Sequence, residues 1–161
     1  MSWLLSTLLL FAQPAEYLDQ LQKGAGCKTC AKFRADSEER NLLLFISFSV
    51  PVSTWIDLSL DLAKTEGVFV VRGLPENSFE AFAKNILKLR QAGVMAPIYL
   101  DPGLFEQYEI DAVPTLVLRE KGKFDKVAGN LRLEAALEKI KADGETQACA
   151  ECFLKQLRGV E

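Results

Sequence analysis

Leu42-Leu43-Leu44-Phe45-Ile46-Ser47-Phe48-Ser49-Val50-Pro51-Val52-Ser53 is the stretch on which the reading of this chain turns. Leu42 to Phe48 is a nearly continuous apolar run rich in strand formers, which fits a central strand buried on both faces of a parallel sheet. Pro51 suits the first residue of a helix, where a missing N–H costs nothing. That helix carries Trp55, Ile56, Leu58, Leu62 and Ala63 and ends before Gly67. Strand, short turn and helix follow one another, with hydroxyls rather than thiols in the turn.

Outward from this unit the alternation continues. Val68-Phe69-Val70-Val71 reads as a second strand, and Pro75-Glu76-Asn77-Ser78 opens a helix with Phe79, Phe82, Ile86 and Leu89 at steps of three and four, closed by Gly93. Pro97 to Leu100 is a third strand, and Asp101-Pro102 starts a helical turn holding Leu104, Phe105 and Tyr108. Thr115–Leu118 and Phe124–Val127 flank a turn containing Gly122, the pattern of an antiparallel hairpin. Asn130 is placed as the N-cap of a last helix with Leu133, Leu137 and Ile140 on one face. Strands joined through helices imply a parallel portion, to which the hairpin adds an antiparallel edge.

The 161 residues suggest one domain plus ends, and 49% apolar with 25% charged residues is an ordinary globular balance. A net charge of −3 with interspersed Lys and Glu offers no basic stripe for nucleic acid. There is no histidine, which removes Ser-His-Asp and Cys-His catalysis and every zinc site that needs imidazole. Trp3 to Ala12 is an uncharged apolar run, too short for a bilayer span of ~20 residues. It reads as the core of a secretory signal peptide over residues 1–15, cleaved near Ala12 or Ala15. The alternative is an apolar helix packed on the core or lying on a membrane surface. Residues 16–40 form a polar arm, 41–142 the folded domain, and 143–161 a polar tail opened by the helix stop Asp143-Gly144.

Strand–helix alternation alone fits a flavodoxin-like layout as well. The closing hairpin and single helix favour the thioredoxin type: α/β, a central mixed sheet with flanking helices, a terminal β-hairpin and a C-terminal helix. Val113-Pro114-Thr115 before the hairpin resembles the cis-proline loop of thioredoxin-like proteins. In that family the loop faces the first helix's N-terminus and binds extended peptide through its backbone. An ordinary trans proline opening an edge strand is the alternative; the whole pattern favours cis. Where the family's enzymes carry the active-site Cys-x-x-Cys, this chain has Ser47 to Ser53. Serine forms no mixed disulfide and, without a nearby base, is a poor nucleophile. Ser49 reads as a helix cap ahead of Pro51. The part of such a site expected to survive is a binding groove, with Ser47, Ser49, Val50 and Pro51 facing Val113, Pro114 and Thr115.

Four blocks carry a closer resemblance: Phe45-x-Ser47-Phe48-Ser49-Val50-Pro51, Ile98-Tyr99-Leu100-Asp101-Pro102-Gly103-Leu104-Phe105, Tyr108-Glu109-Ile110 with Val113-Pro114-Thr115, and Gly129-Asn130-Leu131-x-Leu133-x-x-Ala136-Leu137. Together, in this order over roughly 41–141, they resemble TrbC, the pilus assembly protein family of F-type conjugative type IV secretion systems. The resemblance implies a periplasmic, thioredoxin-like protein without enzyme activity or cofactor. Its implied partners are other pilus assembly proteins, a TraW-like protein first and pilin second, with no nucleic acid or small-molecule substrate.

The four cysteines stand outside those blocks, as Cys27-x-x-Cys30 in the arm and Cys149-x-x-Cys152 in the tail. In an oxidising compartment they are expected to form two disulfides, within the pairs or between them. In a reducing one, two such motifs would suggest a zinc site with four thiolates. A third use is peripheral thiol exchange, and with it comes a rival function: a periplasmic thiol-disulfide oxidoreductase or isomerase. No strand precedes Cys27, so that pair lacks the strand-to-helix turn that places a redox dithiol.

Overall fold

A computed structural model describes residues 41–130 and 132–159. The expected signal peptide (1–15) and arm (16–40), with Cys27 and Cys30, lie outside the described residues. In chain order the elements are β1 (Leu42–Phe45), α1 (Val52–Lys64), β2 (Val68–Val71), a 3-10 turn (Pro75–Asn77), α2 (Phe79–Gln91), β3 (Ile98–Leu100), α3 (Pro102–Gln107), β4 (Thr115–Glu120), β5 (Lys123–Ala128), α4 (Leu133–Asp143) and α5 (Gln147–Arg158).

The strands form one sheet in the order β3-β2-β1-β4-β5. β1 pairs in parallel with β2 (Leu43 opposite Val68) and antiparallel with β4 (Leu43 opposite Val117), which makes it the middle strand. Its apolar run is thereby explained, because side chains alternate between two covered faces. Leu42, Leu44 and Ile46 enter the main core with Phe69, Val71, Leu116 and Leu118, under α1, α2, α4 and α5. Leu43 and Phe45 enter a smaller core with Val68, Val70 and Val117, under α3 and the turn after it. Phe45 meets Phe105 and Tyr108 there, edge to face, at centroid distances of 4.8 and 6.0 Å. This is the thioredoxin-like α/β fold expected from the sequence.

Several local expectations shift by a residue or two. Pro51 occupies the N-cap of α1 rather than its first turn, and no side chain caps that helix. The N-cap of α4 is Arg132, not Asn130. By contrast, Ser78 caps α2 by accepting from the Ala81 N–H at 3.2 Å, and Asp101 caps α3 by accepting from the Leu104 N–H at 3.1 Å. The hairpin closes through Lys121 and Gly122, at φ 50° and 81°, the left-handed pair that matches strand twist.

The tail after Ala142 folds as α5, and its Cys149, Ala150 and Leu154 belong to the main core. Gln156 Nε2 donates to the Lys64 carbonyl at 2.6 Å, which joins α5 to the end of α1. None of the described helices is long and apolar enough to cross a membrane.

A further long-range tie comes from Ser59, a buried hydroxyl on α1 that accepts from the Met95 N–H at 2.7 Å and the Ala96 N–H at 3.2 Å. Ser59→Ala leaves both amides without this partner, so it is expected to cost about 1–3 kcal/mol in urea unfolding. An effect below a few tenths would mean that the loop before β3 finds other partners.

Candidate binding groove at the end of the sheet

Parallel neighbours β1 and β2 run out at the same edge of the sheet, so the segments after them meet there. After β1 the Ile46 N–H still donates to the Val70 carbonyl at 2.9 Å, and then the chain turns. The Val50 N–H donates to the Ser47 carbonyl at 3.0 Å. The Ser49 hydroxyl and N–H both reach Ser47 Oγ, at 3.0 and 3.3 Å. Ser49 therefore steadies the turn instead of capping α1, and the first turn of α1 carries no acidic residue.

The opposite wall is the segment between α3 and β4. The Ile110 N–H donates to the Phe105 carbonyl at 2.9 Å, which ends α3, and Glu109 takes a left-handed φ of 50° to allow it. The Val113–Pro114 peptide bond is cis, as expected from the pattern. Thr115 is buried and its hydroxyl donates to the Ala112 carbonyl at 2.7 Å, while the Pro114 carbonyl accepts from the Gly129 N–H at 2.9 Å. The loop is thus fixed from behind, with Val113 turned to the cavity.

Between the two walls lies a cavity of about 210 Å³. Ile46, Ser47 and Phe48 line it from the β1 side, Arg72 and Gly73 from the end of β2, and Phe105, Ile110, Asp111 and Val113 from the α3 side. The Arg72 guanidinium lies over the Phe105 ring at 5.6 Å, a cation–π contact. Phe48 stacks on Trp55 at 5.7 Å and meets Phe82 edge-on at 5.7 Å, tying the rim to the main core.

Of the residues expected at this site, Ser47 and Val113 line the cavity. Ser49 and Pro51 are exposed in the adjoining turn, Pro114 is half-buried behind it, and Val50 packs against the main core instead. Arg72, Gly73 and Asp111 carry no motif that marks them in the sequence. The available signal was topological: if β2 lies parallel beside β1, the residues after β2 must flank those after β1.

The tail cysteines lie elsewhere. Cys149 is a free thiol, 1% exposed in the main core, and its pKa is pushed up to about 12 by burial and by the nearby Glu120 charge. Cys152 is disulfide-bonded. The expected pairing of the four cysteines involves Cys27 and Cys30, which lie outside the described residues. Among the described residues no cluster of three or more Cys, Asp or Glu side chains is placed to hold a metal ion.

Residues 44–140 match the family model of the type-F conjugative transfer system pilin assembly protein, a span that contains every residue lining the cavity. The chain is also 35% identical over 115 residues to the periplasmic protein TrbC of Escherichia coli (strain K12). That alignment covers 70% of this chain and 53% of the relative, so the chain spans about half the length of the curated relative it matches. With its cis-proline loop, its serine turn and its sheet in the matched span, this chain belongs to the F-type TrbC family of conjugative pilin assembly proteins.

Proposed function

We propose that this chain is a non-catalytic assembly factor for an F-type conjugative pilus, working in the periplasm and holding a partner protein in the groove between Ser47–Phe48 and Val113. The observation that carries this reading is the cavity itself. It is lined by the apolar Phe48, Phe105, Ile110 and Val113 together with the polar Ser47, Arg72 and Asp111, and has no thiol among its lining residues. Such a cleft suits one or two side chains of an extended segment. A TraW-like assembly protein is the first partner to test and pilin the second.

The oxidoreductase alternative needs an accessible thiolate in one of the two cysteine pairs. Cys149 is the reverse of that, since burial and a high pKa both suppress the nucleophilic form. Assays on Cys→Ser variants of each pair decide between the readings: turnover that follows one pair would overturn the binding role as the sole function.

Gly73 gives the cleanest direct test. Gly73 lines the cavity and a Cβ placed there meets nothing within 4 Å, so a side chain added at this position starts in open space and Gly73→Trp is expected to obstruct the groove. Capture of the TraW-like partner is expected to fall at least about tenfold, equivalent to ~1.4 kcal/mol, with pilus production falling alongside and the melting temperature nearly unchanged. Val113→Asp should act in the same direction by placing a carboxylate among the apolar lining residues. Normal capture by a stably folded Gly73→Trp protein would remove the groove from the mechanism.

A further inference from the structure

Two charges of opposite sign line the cavity, Arg72 from the end of β2 and Asp111 from the segment after α3. Among the described residues, the Arg72 guanidinium has its ring contact with Phe105 at 5.6 Å but neither a hydrogen bond nor an ion pair. The Asp111 carboxylate likewise has no hydrogen bond or ion pair among them. We propose that Arg72 and Asp111 are the specificity determinants of this groove, and that its occupant is an extended protein segment with an acidic and a basic residue on either side of an apolar one. The inference rests on the groove being the partner-binding site.

Several charges elsewhere on the surface find partners within the chain: Lys84 with Glu80 at 2.7 Å, Lys155 with Glu151 at 3.4 Å, and Arg158 with Glu134 at 2.7 Å. Arg72 and Asp111 are instead left open, on backbone that is fixed. Val71, just before Arg72, is buried, and its carbonyl accepts from the Asp101 N–H at 3.1 Å. Ile110, just before Asp111, is also buried, and Lys126 Nζ steadies the preceding turn by donating to the Tyr108 and Glu109 carbonyls at 3.1 and 3.0 Å. Charges presented from fixed backbone lose less freedom when an occupant pairs with them.

The chemistry of the two groups defines what they read. A guanidinium carries only N–H donors, and a cation–π contact uses none of them as a hydrogen bond, so Arg72 over Phe105 is still able to bind a carboxylate. The ionised Asp111 carboxylate only accepts, and its partner is a Lys or Arg side chain. A segment of uniform charge would be attracted by one of these groups and repelled by the other, which selects against it. Phe48, Ile110 and Val113 line the same cavity and receive the apolar side chain.

Selection from a random library of short, end-blocked peptides tests this on the full chain with no partner assumed. Wild type is expected to enrich peptides in which an acidic and a basic residue flank an apolar one. Arg72→Glu should lose the preference for the acidic residue, and Asp111→Lys the preference for the basic one. A peptide selected on wild type should bind Arg72→Glu at least about tenfold more weakly and Arg72→Lys within about threefold of wild type, with a wild-type affinity that falls as salt is added. Both side chains are exposed, so circular dichroism should show these variants folded as wild type is. The same preference in Arg72→Glu as in wild type, enrichment without a charge pattern, or no enrichment would each overturn the proposal. If Gly73→Trp blocks binding of peptides that lack the charge pattern, the groove stands and only its charge reading falls. Peptides that bind wild type and Gly73→Trp alike would overturn both.

Discussion

Trp55→Ala is expected to lower the unfolding free energy by about 3–5 kcal/mol, the usual cost of emptying a large aromatic site in a core. That is a large share of the ~5–15 kcal/mol that holds a domain of this kind. Trp55 is 1% exposed, stacks on Phe48 at an interplanar angle of 20°, and meets the Phe69 ring at 4.8 Å. Its loss would empty space between α1 and the middle of the sheet and also remove the surface on which Phe48 rests. Because Phe48 lines the groove, partner capture should fall even at temperatures where the variant is folded. Urea unfolding followed by far-UV circular dichroism measures the first effect, and partner titration in the cold measures the second. Trp55→Phe, which keeps an aromatic ring, should recover most of both. A cost under about 1 kcal/mol for Trp55→Ala would mean that the two aromatics are not packed as a unit.

The architecture was largely legible because its signals are local. The run from Leu42 to Phe48 declared a two-sided strand, Asp101-Pro102 declared a helix start, and Gly122 between two strand-forming runs declared a hairpin, each through neighbours only a few residues away. The groove was half legible. Ser47 and Val113 could be placed opposite each other because Val113-Pro114-Thr115 resembles the cis-proline loop that, in thioredoxin-like proteins, faces the first helix's N-terminus, but Arg72, Gly73 and Asp111 enter only through the packing of β2 and α3 against β1. Ser49 and Asn130 mislead as caps for a related reason. Both are good cap formers, yet the Ser49 hydroxyl bonds to Ser47 and the chain delays α4 until Leu133, with Arg132 at its N-cap. The tail looks polar because its apolar positions are the small or semi-polar Cys149, Ala150 and Cys152, with Leu154 alone as a large buried residue. Only the packed structure reveals that these face the core.

The contact least visible in the sequence, Asp125 on Thr146, is expected to have the second large effect. Asp125 on β5 accepts from the Thr146 hydroxyl at 2.6 Å, the Thr146 N–H at 2.7 Å and the Glu145 N–H at 3.0 Å, so a hairpin residue caps the start of α5. Thr146 is buried, and no side chain of α5's own N-cap performs this role. Gly144 permits the approach: a Cβ there would lie 2.7 Å from Asp125 Oδ2 and 2.6 Å from the Ile140 carbonyl. Asp125→Ala leaves the Thr146 donors without this acceptor and should cost about 2–3 kcal/mol, with Asp125→Asn about half as damaging. The charge adds a pH signature. Burial by itself would raise the Asp125 pKa, but the Thr146 hydroxyl, the Glu145 and Thr146 amides and the nearby Lys123 outweigh it and hold the carboxyl below its ordinary 3.8. With the folded pKa depressed, the native state releases this proton more readily than the unfolded chain. The contribution is therefore complete above the unfolded pKa and lost as pH falls through the folded one. Urea unfolding of wild type and Asp125→Asn should differ most near neutrality and converge progressively at pH values below the ordinary carboxylate range. A constant difference down to strong acid would assign the effect to hydrogen-bond geometry alone and remove the carboxylate's charge from the account.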